Sequence, residues 1–339
     1  MTSTRRALLS ADYDGLVAGL GGPGRAAAVM RALRSGLEPD EASGLVGSRT
    51  RRALEGRFRF SPPRIAELHE ATDGALKLVL TLADGLSVET VLIPTRGRTT
   101  LCVSSQVGCL RGCRFCLTAQ MGLTRQLSRA EILAQLWWGR RLVRERGLQP
   151  LRNVVFMGMG EPLDNWDEVR PALEQMTDTR LHGVGKKHVT LSTVAPTAAK
   201  VRAIGRAPAR LAWSLHASDA ATRGALVPTQ QDSPAALRSA WLELLEARRE
   251  ALFVEVTLIA GRNDSDAQAA ELAAFLEPFG DRTRVNLLPV NPGRAEVTAP
   301  AVERCEAFAG ALRAAGLFTA LRKPRGQGSG AACGQLVQR

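Results

Sequence analysis

The sequence predicts an α/β fold, a partial (β/α)6 barrel that follows a small helical N-terminal unit and a β-hairpin extension. Strand-like and helix-like segments alternate about six times over residues 100–315, which favours a parallel sheet with its helices outside. Two β-rich runs joined at Asp84-Gly85 precede this alternation and indicate a hairpin with a tight turn. The count does not reach the eight units of a closed barrel.

The individual elements follow from apolar spacing and from signals at their ends. Helical spacing occurs on both sides of a Gly-Gly-Pro-Gly break near the N-terminus, and a Ser-x-x-Glu capping box at Ser128 opens the first barrel helix. The predicted helices cover residues 14–20, 25–33, 128–146, 167–176, 197–204, 234–248, 266–279 and 301–315. The predicted strands cover residues 76–82, 87–93, 100–104, 153–157, 188–192, 210–215, 253–259 and 284–289, with a last short strand at 318–321.

These segments predict four parts of the chain. Residues 1–72 form a helical accessory unit, residues 73–97 the hairpin extension, and residues 98–322 the barrel. Residues 323–339 form a Gly-rich tail that we expect to be mobile.

Composition is typical of a globular protein, with 45% hydrophobic and 23% charged residues in 339. We find neither a signal peptide nor a run of about 18 apolar residues, so the sequence predicts no membrane segment. We therefore expect a cytoplasmic location, in which the cysteines stay reduced.

The formal net charge of +12 favours a polyanionic partner, with nucleic acid first. Nine Phe, five Trp and one Tyr are too few to suggest an extended platform for stacking single-stranded bases. A dense basic run at residues 49–59 is either a solvated helix face or an RNA contact, and the sequence leaves both interpretations open.

The pattern Cys109-x-x-x-Cys113-x-x-Cys116 is the strongest chemical signal in the chain. Structural zinc takes four ligands, and the nearest histidines, His69 and His182, are far away in sequence. A disulfide is not indicated, because nothing marks the chain as secreted. Three cysteines can instead hold an iron–sulfur cube with one iron left open.

This spacing resembles that of the radical S-adenosylmethionine (SAM) enzymes, which implies a [4Fe–4S] cluster whose open iron binds SAM. Seven sequence blocks, found in the order of one family, restrict the resemblance to that family: CVSSQVGC, CRFCLTAQMG, FMGMGEPLDN, VTLST, SLHA, LLPVNP and AACGQL. Together they resemble the RlmN/Cfr family of RNA adenine methyltransferases, and CLTAQMG is closer to the RlmN branch. The implied fold is the partial barrel of radical SAM enzymes.

Several polar residues of these blocks end predicted strands, and parallel strands deliver such residues to one rim. Each residue alone would more often be a turn or capping residue. By resemblance they bind SAM, and the predicted SAM-binding residues are Gly160, Glu161, Ser192, Ser214, Leu215, His216 and Asn291.

The resemblance also gives a reaction, methylation of carbon 2 of an adenosine in 23S rRNA, with a tRNA adenosine as a further substrate. One SAM methylates Cys333, and a second SAM supplies the radical that activates this methyl group for addition to the base. Glu89 accepts the ring proton, and Cys102 attacks the sulfur of Cys333 to release the RNA. Cys305 matches no block, and we interpret it as structural.

Three alternatives stay open at this point. The family includes methylation at carbon 8, and another class of radical SAM enzyme would use the three clustered cysteines without Cys102 or Cys333. An RNA-binding iron–sulfur protein without activity is the third alternative. The expected partners are RNA and an electron donor such as flavodoxin or ferredoxin, and we expect a monomer.

Overall fold

The computed structural model describes residues 5–291, 293, 297–323, 325–326 and 330–336. Within these residues a single ten-stranded sheet has its strands side by side in chain order. The strands are β1 Arg64–Glu70, β2 Leu76–Thr81, β3 Ser87–Thr95, β4 Arg98–Val103, β5 Leu151–Phe156, β6 Val189–Thr193, β7 Arg210–Ser214, β8 Leu252–Leu258, β9 Thr283–Pro289 and β10 Phe318–Leu321.

Ten α-helices accompany the sheet in the described part of the chain. Three of them precede the sheet, and the other seven lie in the connections between its parallel strands or before the last strand. The helices are α1 Tyr13–Leu20, α2 Pro23–Arg34, α3 Ser48–Arg57, α4 Arg129–Glu145, α5 Trp166–Thr177, α6 Ala198–Ala203, α7 Ala220–Leu226, α8 Pro234–Glu246, α9 Asp266–Leu276 and α10 Val302–Ala314.

Strands β4 to β10 are parallel, and this confirms the predicted α/β fold and its six β/α units with a last short strand. The sheet is open, since β1 and β10 form its two edges among the described residues. The capping box at Ser128 is present, with its side chain bonded to the Glu131 N–H and the Glu131 side chain bonded back. The partial barrel therefore forms without closure.

The predicted hairpin is part of a larger antiparallel extension. Strands β2 and β3 pair around a turn in which Gly85 has φ +83°, a conformation that glycine adopts without strain. Strand β1 adds a third antiparallel strand, and β3 pairs directly with β4. The sequence analysis placed β1 in the helical unit, because an exposed edge strand lacks the apolar alternation that a buried one shows.

The chain before β1 forms the three helices α1 to α3 and packs on α4. Its own apolar core includes Trp137 of α4, whose indole N–H donates to the Leu37 carbonyl over 3.3 Å. Gly36 lies so close to α4 that a Cβ there would be 2.4 Å from the backbone nitrogen of Arg141. The division of the chain into the four predicted parts stays a proposal, and residues 1–4 lie outside the described residues.

The segment after β10 returns to the other edge of the sheet. Arg325 donates to the Pro94 carbonyl at the end of β3 and forms an ion pair of 2.8 Å with Asp73 in the β1–β2 turn. Farther along, the carbonyls of Gly334 and Leu336 accept from the Leu117 N–H and the Thr118 hydroxyl. The described residues of the predicted tail are thus anchored at two places, whereas 324, 327–329 and 337–339 lie outside the described residues.

No helix in the described part of the chain is long and apolar enough to cross a membrane.

Candidate functional site

A cavity lies at the carboxyl ends of the parallel strands, where consecutive strands deliver their last polar side chains. Its wall brings together residues that are up to 227 positions apart in sequence, from Cys109 to Leu336. The predicted site residues that line it are Cys109, Cys113, Cys116, Gly160, Glu161, Ser192, Ser214, His216, Asn291 and Cys333.

The loop that carries the three cysteines is held by a short two-stranded ribbon, Gln106–Gly108 with Leu123–Gln126. The Cys109 N–H donates to the Gly122 carbonyl over 2.8 Å, which fixes the first cysteine beside the ribbon. The Cys116 N–H donates to the Cys113 carbonyl over 3.1 Å, so the second and third cysteines share a tight turn. The loop geometry is therefore set by backbone hydrogen bonds.

The cysteines do not form a site for a single metal ion. Among the described residues, no three His, Cys, Asp or Glu side chains converge closely enough for one ion. Zinc ligands at about 2.3 Å would bring the sulfurs to about 4 Å from one another. A cube distributes its three cysteines over three different irons, so three cysteines that do not converge on one point fit an iron–sulfur cluster.

Burial raises the pKa of Cys109 to about 12, and it raises the pKa of Cys113 even though a cation lies nearby. That cation is Arg223, a fully buried side chain that donates to the Ser214 carbonyl and partly offsets the shift at Cys113. The Arg111 N–H also donates to the sulfur of Cys109 over 3.4 Å. These donors and this charge stabilise negative charge on sulfur, which a metal-bound thiolate carries.

Glu161 is a buried carboxylate at the rim. It accepts from the Thr193 hydroxyl over 2.6 Å and from the Val194 N–H over 2.9 Å. Desolvation nevertheless raises its pKa to about 7, because the three hydrogen bonds that it accepts only partly offset the loss of water. The Glu161 carboxyl group can therefore bind a positively charged or hydrogen-bond-donating group in the cavity.

His216 is neutral and rigidly placed. Burial lowers its pKa to about 3, and its Nδ1 accepts from the Thr257 N–H over 3.1 Å, so the proton is on Nε2. Its φ of +62° is strained for a residue with a Cβ, and its ring packs edge-on against Phe115 at 4.6 Å. Strain of this kind is typical of positions whose surroundings fix a functional side chain.

Leu215 and Asn291, two of the predicted SAM-binding residues, differ in their surroundings. Leu215 does not line the cavity; its side chain is fully buried in the core, and only its backbone lies near the rim. Asn291 lines the cavity, and its side chain donates to the Cys333 carbonyl over 3.0 Å. Asn291 thus holds the segment that carries Cys333.

A second cavity adjoins the first, and Cys102 and Cys333 both line it. Burial raises the pKa of Cys102 well above its usual range, and the neighbouring Cys333 thiol raises it further. Cys333 belongs to both walls. The structure therefore brings together two cysteines that are 231 positions apart in sequence, with one of them also facing the clustered cysteines.

Glu89 lies on β3 and points to the same face of the sheet as Cys102. The pairing of Val91 with Cys102 defines that face, and Glu89 is two residues from Val91. Its carboxylate is buried and forms an ion pair of 3.0 Å with Lys77 on β2. Glu89 does not line either of the two cavities described above.

The sequence and the fold are similar to those of known proteins. The model of the radical SAM superfamily matches residues 103–276, more than half of the chain. The chain belongs to the radical SAM superfamily. It is 47% identical over 276 residues to a probable RNA methyltransferase of Sorangium cellulosum, an alignment that covers 80% of this chain and 68% of that one.

A solved radical SAM methyltransferase from Sphaerobacter thermophilus superposes with a TM-score of 0.90 at 34% identity, covering 98% of this chain and 99% of that one. The chain is therefore a radical SAM methyltransferase, and membership in this superfamily implies a [4Fe–4S] cluster and SAM. Cys109, Cys113 and Cys116 would hold the cluster. When bound, it supplies one-electron reduction of SAM.

Sequence reasoning missed several residues of this radical SAM cavity. Glu255 of β8 lines its wall, and its carboxylate accepts from the Asn286 side chain over 2.7 Å. The signal was present, because the alternation in LFVEVTL puts this acid on the face opposite the apolar residues. Arg223 does not line the cavity and gave no such signal, since α7 was not predicted and its burial depends on the carbonyls of Ser214, Leu215 and Val194.

The buried carboxylate of Glu161 predicts a pH-dependent stability. Its pKa of about 7 in the folded chain lies above the usual 4.5, so the folded state is disfavoured once the acid ionises. Without cluster or SAM, we expect the wild-type protein to lose about 2 kcal/mol of unfolding free energy relative to Glu161→Gln between pH 5 and pH 8. Urea unfolding at both pH values measures this difference, and parallel pH dependences would contradict it.

Proposed function

We propose that this chain is an RNA methyltransferase of the RlmN type, which methylates carbon 2 of an adenosine in 23S rRNA and also accepts a tRNA adenosine. One observation carries the proposal: Cys333 lines both the cavity of the clustered cysteines and the second cavity, where it meets Cys102. Other radical SAM reactions need the three clustered cysteines but have no use for this second pair.

The chemistry of the target explains the need for a carrier. Carbon 2 of adenine is a C–H carbon without a lone pair, so it cannot attack the methyl group of SAM. A thiol can, because sulfur is an effective nucleophile once it is deprotonated. A residue that lines both cavities, as Cys333 does, can receive a methyl group on one side and present it to a base on the other.

The other residues then have defined roles. Glu161 and His216 orient the SAM amino acid and nucleoside parts from the rim of the cavity. Glu89 accepts the proton that leaves the base, and its ion pair with Lys77 holds this carboxylate in place. The Cys102 thiol forms a disulfide with Cys333, and this step releases the methylated RNA. An external reductant then reduces the disulfide. Each turnover uses two SAM molecules.

Charge and similarity support RNA as the substrate. The chain carries a formal net charge of +12, and its 47% identical relative is named as a probable RNA methyltransferase. Arg49, Arg52 and Arg57 of α3 are exposed, while Arg322, Lys323 and Arg325 line the second cavity. Cations at these positions would bind the phosphates around a base that is turned out of its RNA stack.

The remaining partners follow from the same chemistry. Reduction of the cluster requires a one-electron donor of the flavodoxin or ferredoxin class, and we propose that the protein acts as a monomer. The helical residues 1–72 and the extension 73–97 would contact RNA, and the barrel 98–322 would hold the cluster and SAM.

Mass mapping of rRNA and tRNA tests the proposal. We expect one 23S rRNA adenosine to lose a methyl group when the gene is deleted, and to regain it with the wild-type gene but not with Cys333→Ala. Fragment analysis then assigns the methyl group to carbon 2. Methylation at carbon 8 would favour the Cfr type of reaction, and unchanged adenosines in both RNAs would contradict the proposed function.

A further inference from the structure

Glu255 is a half-buried acid that the proposed roles above leave unused. Strand β8 alternates strictly, with Leu252, Val254 and Val256 in the core and Glu255 on the opposite face. The Glu255 side chain therefore points into the partial barrel and reaches the wall of the cavity near the rim. Removing a carboxylate from water costs free energy unless hydrogen bonds or an opposite charge compensate for the lost solvation.

The partners of Glu255 hold it without neutralising it. Asn286 of β9 donates to its carboxylate over 2.7 Å, and Arg322 in turn donates from Nε to the Asn286 carbonyl oxygen over 2.9 Å. Arg322 forms no ion pair with Glu255 among the described contacts, although its charge acts to lower the pKa of Glu255. Desolvation raises the pKa of Glu255 above its usual range.

Glu255 and Cys333 face the same cavity. The Cys333 residue is exposed at the wall, yet the surrounding cavity atoms desolvate its sulfur. Desolvation first, and the negative charge of Glu255 second, raise the pKa of Cys333 to about 11. The other titratable groups of the first cavity are those of the cysteine loop, with Arg111, and of Glu161 and His216 at the rim. The second cavity adds Cys102, Arg322, Lys323 and Arg325.

We propose that Glu255 is the base that takes the proton of the Cys333 thiol when this sulfur receives its methyl group from SAM. The inference rests on the proposed function, since it assumes that Cys333 is the methyl carrier. In this step the carbon–sulfur bond of the sulfonium breaks, a new bond forms between Cys333 sulfur and the methyl carbon, and the proton moves to Glu255. The products are S-methyl-Cys333, S-adenosylhomocysteine and a neutral carboxylic acid, and no electron is needed.

A base is required because so little of the thiol is ionised. With a pKa of about 11, about one Cys333 thiol in a thousand is a thiolate at pH 8. A nearby carboxylate whose own pKa is raised accepts the proton more readily than a solvated one would. The proton transfer also removes the negative charge of Glu255, which otherwise disfavours a thiolate on Cys333.

Glu255→Gln tests this role, since the amide oxygen can still accept the Asn286 hydrogen bond and the shape is kept. With the cluster reconstituted, SAM added and reductant left out, we expect S-methyl-Cys333 and S-adenosylhomocysteine to form about a hundredfold more slowly than in the wild type. Glu243→Gln, at an exposed acid on α8 that pairs with Arg202, is the matched control and should keep the wild-type rate.

The pH profile separates a base from a structural residue. In Glu255→Gln we expect the rate to rise about tenfold per pH unit between pH 7 and pH 10, because only solvent then ionises the thiol. The wild-type rate should change far less over this range. Equal pH slopes in Glu255→Gln and the wild type would overturn the assignment. A loss of rate that saturating SAM restores would also overturn it and would make Glu255 a SAM-binding residue.

A second readout needs no SAM. Site-resolved mass spectrometry of iodoacetamide labelling reports the ionisation of Cys333 directly, and Glu255→Gln should label faster at pH 8, since the opposing charge is gone. Unchanged labelling would show that the two groups are not coupled. If wild-type Cys333 is never methylated, the proposed function fails; if it is methylated and Glu255→Gln matches the wild type, only this inference fails.

Discussion

Replacing Cys102 by alanine is expected to leave the protein covalently joined to its RNA. In the proposed reaction the carbon carried by Cys333 bonds to the adenine ring, and only attack by a second thiol on the Cys333 sulfur breaks the link. Cys102 is the cysteine that shares the second cavity with Cys333. Without it, the adduct should accumulate to nearly one per active chain.

Denaturing gel electrophoresis followed by nuclease digestion and mass spectrometry measures this adduct. Cys333→Ala, which removes the carrier, should form none, and a Cys102→Ala, Cys333→Ala double variant should behave like Cys333→Ala alone. Cys305→Ala is the matched control, because that cysteine is buried in α10 and lines neither cavity. It should turn over without a trapped species.

Two outcomes would contradict the proposed roles of Cys102 and Cys333. If Cys102→Ala methylates RNA through repeated turnovers, then no thiol exchange releases the product and the second cavity has another purpose. If Cys333→Ala forms the adduct, another residue carries the methyl group.

Local patterns predicted the sheet because its buried parallel strands are short apolar runs with turn signals at both ends. The same reasoning gathered Glu161, Ser192 and His216 at one rim, since the ends of parallel strands meet there. It failed at β1, because this edge strand carries few apolar residues and an irregularity between Ile65 and Glu67 interrupts their alternation. The predicted division at residue 72 therefore assigned this strand to the helical unit.

The position of Cys333 could not be derived from local patterns. Its placement depends on hydrogen bonds to Asn291 and on the Gly334 carbonyl that accepts from Leu117, contacts that join distant parts of the chain. Only resemblance to a family predicted its role, and only the folded chain brings it to Cys102. Leu215 differs from its neighbours Ser214 and His216, because its side chain belongs to the apolar core and only they line the cavity. Its predicted contact with SAM stays a prediction.

Replacing Gly108 by alanine is expected to abolish cluster binding while the fold persists. Gly108 has φ +80° and precedes the first cluster cysteine, and an added Cβ would lie 1.8 Å from the Gly122 carbonyl oxygen. That oxygen also accepts from the Cys109 N–H, so it cannot move without displacing Cys109. Moving the backbone at residue 108 or at Gly122 would cost free energy, and the left-handed conformation at residue 108 itself strains alanine.

The ribbon must therefore open, and Cys109 moves away from Cys113 and Cys116. We expect iron and sulfide per chain after anaerobic reconstitution to fall by about tenfold or more, because a cube held by two cysteines is not retained. Far-ultraviolet circular dichroism should stay close to the wild type, since the ribbon is separate from the ten-stranded sheet. Gly224→Ala is the matched control, with no heavy atom within 4 Å of its added Cβ and an ordinary helical φ. Full iron content in Gly108→Ala would show that the cysteine loop is far more adaptable than its backbone contacts imply.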